Sequence, residues 1–180
     1  MLLEIIETKR LRLRPHGFHD IDDILAYATD PEWSRYLPVP HPYTRSDAEE
    51  FIASQILLDK EKHQAWAIER NGTVIGGINI RFQFKDRLGE LGYSIARPHW
   101  GKGFATQAGK AVIDTSFSVH PELNRIQAYA DARNTGSLRV MEKLGMTREG
   151  IFRQKRWVRD EFIDEAWCAV LRAEWEAKRD

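Results

Sequence analysis

Trp100-Gly101-Lys102-Gly103-Phe104-Ala105-Thr106 is the stretch on which the fold turns. Before it, Glu90 to Ala96 has the composition of a strand, ended by Pro98. After it, Ala105, Ala108, Val112 and Val119 recur at helical spacing, which predicts a helix from about Phe104 to Val119. Two glycines at such a junction permit positive φ and let a ligand approach the backbone closely. The helix that follows leaves its first N–H groups unpaired at its positive end. Strand, glycine turn and helix start together suit a pyrophosphate, and Lys102 adds a charge. The same glycines would also serve as a plain turn that launches the helix. The segment lacks the Gly-Lys-Ser/Thr ending of a nucleotide-triphosphate loop and the full dinucleotide spacing.

Outward from this loop, the second half alternates. Ile126, Ala128 and Ala130 predict a strand, and Asn134 to Leu144 a helix ended by Gly145. Two strands follow, near Thr147 to Trp157 and Phe162 to Leu171. The first half opens with a strand over Lys9 to Arg14, with Leu11 and Leu13 on one face. Asp20 is placed to cap a helix whose Ile21, Ile24, Leu25 and Ala28 share a face. Pro38, Pro40 and Pro42 make Tyr36 to Tyr43 an extended loop. Ser46 and Glu49 have capping-box spacing for a helix with Phe51, Ile52 and Ile56 inward. Gln64 to Glu69 and Thr73 to Phe82 read as strands joined by an Asn71-Gly72 hairpin turn. This order implies an α/β chain (α+β mixed) with one mixed sheet and helices on both faces. Residues 1–180 are expected to form a single domain.

Composition fits a globular protein: of 180 residues, 42% are apolar and 30% charged. Acidic and basic side chains balance at 27 each, so no nucleic-acid partner is expected. No run approaches membrane-spanning length and Met1 to Arg14 has no signal-peptide core, which makes a cytoplasmic protein, with no membrane partner, the default. Cys168, the one cysteine, sits in an apolar stretch and reads as a core thiol rather than a nucleophile.

Tyr93 to Ala105 resembles the coenzyme A signature of the GNAT superfamily, Gln/Arg-x-x-Gly-x-Gly/Ala, here Trp100-x-x-Gly103-x-Ala105. The tryptophan departs from the general pattern and is similar to the branch that acetylates N-termini of ribosomal proteins. Asn134-Thr135-Gly136-Ser137 followed by Glu142-Lys143-Leu144-Gly145-Met146 is similar to the family's Asn-x-x-Ser helix. Leu11-Arg12-Leu13-Arg14 and Asp30-Pro31-Glu32 also fit that branch. The resemblance covers nearly the whole chain.

It implies a central, twisted, mostly antiparallel sheet of about seven strands and acetyl transfer from acetyl-CoA to an amine, with no metal. Tyr93, Ser94 and Ile95 would pair with the pantetheine arm. Trp100, Gly101, Lys102, Gly103, Phe104, Ala105 and Thr106 would hold the phosphates through their amides. Asn134 would bond the same arm, or simply cap its helix. Ser137 would protonate the leaving thiolate, or satisfy the helix end. The tyrosine acid of many relatives is replaced by Met141, which cannot donate a proton. Glu90 is the candidate base, with Asp131 a weaker one. Trp33, Tyr36, Tyr43 and Trp157 are candidates for the acceptor cleft, although core cover is the commoner use of any single ring. The acceptor would be a protein N-terminus or a small-molecule amine, and the chain a monomer or homodimer. A non-catalytic acyl-coenzyme A sensor would use the same loop.

Overall fold

The computed structural model describes residues 4–178. The first strands are short, β1 at Ile6–Glu7 and β2 at Arg12–Arg14. Three helices follow: α1 (Ile21–Ala28), α2 (Pro31–Ser34) and α3 (Arg45–Ile56). Then come β3 (His63–Arg70), β4 (Thr73–Gln83), β5 (Leu88–Ile95) and α4 (Phe104–Val119). The chain closes with β6 (Arg125–Asp131), α5 (Thr135–Lys143), β7 (Thr147–Val158), β8 (Glu161–Leu171) and α6 (Arg172–Glu176). The described strands form one eight-stranded sheet in the order β1-β2-β3-β4-β5-β6-β8-β7. That is one more strand than the expected seven, because β1 has only two residues and leaves no periodic trace.

Every neighbouring pair is antiparallel except β5 and β6. The β3–β4 hairpin turns at Asn71 and Gly72, whose φ values of 53° and 81° suit the right-handed twist of the strands. One sheet face carries Ile78, Ile80, Leu91, Ile126 and Val170 and packs against Ala108, Val112 and Phe117 of α4 and Met141 of α5. The other face packs Ala67 and Val74 against Ile24, Ala48 and Ile52 of α1 and α3. Helices therefore cover both faces, as the alternation of elements implies.

Several local expectations need correction. Asp20 does stand before α1, yet its carboxylate makes no capping bond there. It is buried and engaged by the Arg14 guanidinium at 2.7 and 2.9 Å. The capping box of α3 is Thr44–Asp47, not Ser46–Glu49: Asp47 accepts the Thr44 N–H at 2.7 Å and returns its own to the Thr44 hydroxyl. The helix starts where the proline loop ends, two residues earlier than expected. Ile56 and Val119 are exposed rather than inward, because each closes its helix as the chain leaves the sheet. No helix among the described residues is long and apolar enough to cross a membrane.

Candidate active site

The sheet comes apart at one place. β5 and β6 pair only through Leu88–Arg125, Gly89–Ile126 and Glu90–Gln127. Beyond that rung β5 runs on to Ile95, bonded to β4, and β6 runs on to Asp131, bonded to β8. Their facing edges diverge. Backbone groups along such edges need partners, so the gap is a slot into which an extended chain can add as a strand.

The glycine loop closes one end of this slot. Gly101 and Gly103 have φ of 72° and 78°, in the left-handed region, and a Cβ on Gly101 would meet nothing within 4 Å. The turn is thus open towards a ligand. No side chain caps α4, so the amides of its first turn are free for one. Trp100 does not point its indole at the cradle; the indole nitrogen donates to the Ile95 carbonyl at 2.6 Å. Lys102 folds back on the Pro98 carbonyl at 2.7 Å. Phe104 is buried, so only its backbone can serve a ligand, while Ala105 and Thr106 are half-buried in the first helical turn.

Two arginines unforeseen from the sequence stand here. Arg10 donates to the Lys102 carbonyl at 3.0 Å and to Gln107 at 2.7 Å. Its guanidinium lies 4.7 Å from the centre of the Phe104 ring, and that of Arg70 lies 5.1 Å away. Both charges therefore sit beside the helix start. Nothing local signals them, since Arg10 precedes Lys102 by 92 positions.

Strand alternation sorts the remaining candidates by face. Leu91, Tyr93 and Ile95 turn towards α4 and α5. Glu90, Gly92 and Ser94 turn to the opposite face. Asn134 caps α5, accepting the Ser137 N–H at 3.0 Å. The Ser137 hydroxyl is 2.9 Å from the Tyr93 phenol oxygen, so the structure brings those two together. Met141, where the family resemblance would put a tyrosine acid, is fully buried in the core. On the far face Glu90 accepts from Gln127 at 3.2 Å and faces Arg81 at 3.8 Å. Ser137 and Glu90 thus approach the gap from opposite sides of the sheet.

Three of the candidates stand in structural settings. Asp131 is buried and gripped by Arg133, whose side chain bonds both of its oxygens at 2.6 to 3.2 Å. Burial pushes that carboxyl up, but the Arg133 side-chain and backbone bonds outweigh it and hold it below the usual range. A carboxylate so held is a poor base. Trp33 and Tyr43 serve as core rings. They are buried in the α1–α3 core, with ring centres 6.4 Å apart and Tyr27 5.1 Å from Trp33. Tyr36 is half-buried beneath the Arg35 guanidinium, and Trp157 is exposed, edge-on to Phe162 at 4.7 Å. The proline loop is instead tied to the β7–β8 hairpin by Arg159, which donates to the carbonyls of Ser34 at 2.9 Å and Leu37 at 3.3 Å. Cys168 is buried, and burial pushes its thiol up, which suits a core role.

Comparison with known proteins agrees with this geometry. Residues 10–147 match the family model described as "Acetyltransferase (GNAT) domain". The uncharacterized N-acetyltransferase p20 of Bacillus licheniformis is 32% identical over 179 residues, spanning 96% of this chain and 99% of its own. A Bacillus subtilis protein named "Putative ribosomal N-acetyltransferase YdaF" is 32% identical over 110 residues, 61% of this chain and 60% of its own. The crystal structure of a GNAT-family acetyltransferase from Bacillus anthracis superposes with a TM-score of 0.82 at 28% identity, covering 93% of this chain and 98% of that one. With its diverging β5 and β6, its glycine loop at the start of α4 and a family match over most of its length, the chain belongs to the GNAT family of acetyltransferases.

Proposed function

We propose that this protein moves an acetyl group from acetyl-coenzyme A to a primary amine by direct attack, with a protein N-terminal amine as the first acceptor to test. The observation that carries this reading is the gap between β5 and β6 with the open glycine loop at its end. Bound there, acetyl-coenzyme A supplies the activated acetyl group as a thioester. The amides of residues 101 to 106 take the pyrophosphate, with Arg10 and Arg70 adding positive charge beside them. The free edge of Tyr93, Ser94 and Ile95 takes the pantetheine arm as an added strand, and a backbone N–H of that edge polarises the acetyl oxygen. Holding both reactants in line supplies much of the acceleration.

An ammonium has no lone pair, so the acceptor must lose a proton before attack. Glu90, on the face away from Ser137, takes it, directly or through water. Ser137 stabilises the departing sulfur from the other side. No nucleophilic cysteine or serine is required, because attack is direct. The gap between the sheet faces is where the two reactants meet.

The test is release of free coenzyme A from acetyl-coenzyme A in the presence of peptides with free N-termini and of polyamines. Mass spectrometry then locates the acetyl group on the acceptor. Peptide acetylation at the α-amine supports the reading. Tight coenzyme A binding with no turnover on any amine would return the protein to the sensor class.

A further inference from the structure

Tyr93 and Ser137 meet on the helix-covered face of the sheet beside the gap, one from β5 and the other from the first turn of α5. The phenol oxygen lies 2.9 Å from Ser137 Oγ and 3.1 Å from the Ser137 carbonyl oxygen. One phenol proton thus has two acceptors, and two arrangements follow. In the first, the phenol donates to the carbonyl and the serine hydroxyl donates to the phenol oxygen. Both protons are then held inside the pair. In the second, the phenol donates to Oγ, and the serine proton is free to point outward. The two differ by rotation of two hydroxyls, and no heavy atom moves.

We infer that Tyr93 is a positioning residue for Ser137: its phenol donates to Oγ, turns the serine proton towards the leaving sulfur and strengthens that bond as charge develops there. The inference rests on the reading that Ser137 faces the thioester sulfur. A serine hydroxyl is far less acidic than a thiol, so complete proton transfer from Ser137 to a thiolate would run uphill. The balanced step is therefore one of hydrogen bonding. The carbon–sulfur bond breaks, its electron pair goes to sulfur, and the thiolate that leaves is balanced by the proton that nitrogen sheds on becoming an amide, which reaches sulfur through solvent. Ser137 and Tyr93 keep theirs. A hydroxyl that accepts a hydrogen bond becomes a better donor, and a dry setting enlarges the effect.

The surroundings of Tyr93 fit that task. Burial pushes its hydroxyl up to about 12, with the Ser137 bond pulling the other way. It therefore stays a protonated donor through the neutral range.

The experiment is a double-mutant cycle of wild type, Tyr93→Phe, Ser137→Ala and the pair. Each is read by the single-turnover rate of acetyl transfer and, separately, by calorimetric affinity for coenzyme A. Tyr93→Phe is expected to slow the chemical step about 2- to 10-fold, the loss of one ordinary hydrogen bond, and to leave affinity unchanged. In the Ser137→Ala background it is expected to cost nothing further. Equal slowing in both backgrounds, or no slowing in either, overturns the inference. A wild-type rate for Ser137→Ala overturns the role of Ser137 itself, and the inference with it. 3-Fluorotyrosine at position 93 keeps the ring and the bond and makes the phenol a stronger donor. It is expected to raise the rate only where Ser137 is present, and it decides the matter if the phenylalanine variant does not fold. A fluorinated protein with an unchanged rate counts against the inference.

Discussion

The indole nitrogen of Trp100 is bonded to the carbonyl oxygen of Ile95 at 2.6 Å, so the first residue of the glycine loop is tied to the last residue of β5. This bond fixes the angle at which the loop leaves the strand. It gives the tryptophan of the signature a structural task instead of a contact with phosphate. Trp100→Phe keeps a ring there but removes the donor. We expect coenzyme A affinity to fall about 2- to 10-fold with little change in melting temperature, since the residue is half-exposed. Calorimetry on the variant checks this, and unchanged affinity would make the bond incidental.

Gly103 makes a sharper demand. It is the N-cap of α4 at φ 78°, and a side chain there costs about 1–2 kcal/mol in the left-handed region. Proline cannot adopt that angle at all. Gly103→Pro or Gly101→Val should abolish coenzyme A binding while most of the fold persists, because the helix behind the loop is anchored by Ala108, Val112 and Phe117. A folded variant with wild-type affinity would remove the loop from the phosphate site.

What the sequence disclosed followed physical range. The ends of α4, the Asn71-Gly72 turn and the Asn134 cap depend on residues a few positions apart, and all three are present in the structure. The glycine loop was legible because φ is a property of single residues. The sequence leaves Trp33 and Tyr43 open between cleft and core, because a ring beside prolines looks the same whether it faces a cleft or Tyr27. Only the packing of α1, α2 and α3 decides that. Arg10 at Lys102 and Tyr93 at Ser137 are contacts across 92 and 44 positions, beyond any periodic signal. Glu90 and Ser137 are legible in the sequence only as separate candidates. Their placement on opposite faces of the gap needed the register of β5.

Arg159 offers a test of the acceptor side. Its guanidinium joins the β7–β8 turn to the carbonyls of Ser34 and Leu37, so the hairpin holds the proline loop in place. Arg159→Ala is expected to raise KM for the amine about 3- to 10-fold while leaving coenzyme A affinity intact, a loss of the size of one or two exposed hydrogen bonds. If KM for the amine stays put, the loop does not shape the acceptor cleft.

His16 sets an acid limit on stability. Burial lowers its pKa from 6.5 to about 4, Asp20 opposing and Arg14 adding to the fall. The unfolded chain therefore binds the extra proton first. The contribution is fully present above about pH 6.5, is lost as pH falls from there to about 4, and then levels off. Its full size is about 3 kcal/mol. Asp20, held below its usual value despite burial, adds a further loss only in more acid solution. Melting temperatures should fall steadily between pH 7 and 4.5, and His16→Gln should flatten that slope. A flat wild-type curve over this window would contradict the burial argument.

Glu90 is the residue through which pH should act on turnover. It stands on the last rung that joins β5 to β6, held by Gln127 on one side and Arg81 on the other. Its carboxylate is therefore at the mouth of the gap, on the face from which the amine would arrive. Glu90→Gln keeps the size and one of the acceptor oxygens but cannot take a proton. The acceptor is mostly ammonium near neutral pH, so the variant must wait for the small free-amine fraction. We expect a loss of about 10-fold in kcat/KM at pH 7 for an α-amine acceptor. That loss should shrink towards pH 9.5 as free amine accumulates, while coenzyme A affinity stays constant at both ends. A structural role for Glu90 would lower the rate equally at every pH. A variant that matches wild type throughout would take Glu90 out of the proton path. Since Arg133 occupies Asp131, the amine would then have to enter already neutral.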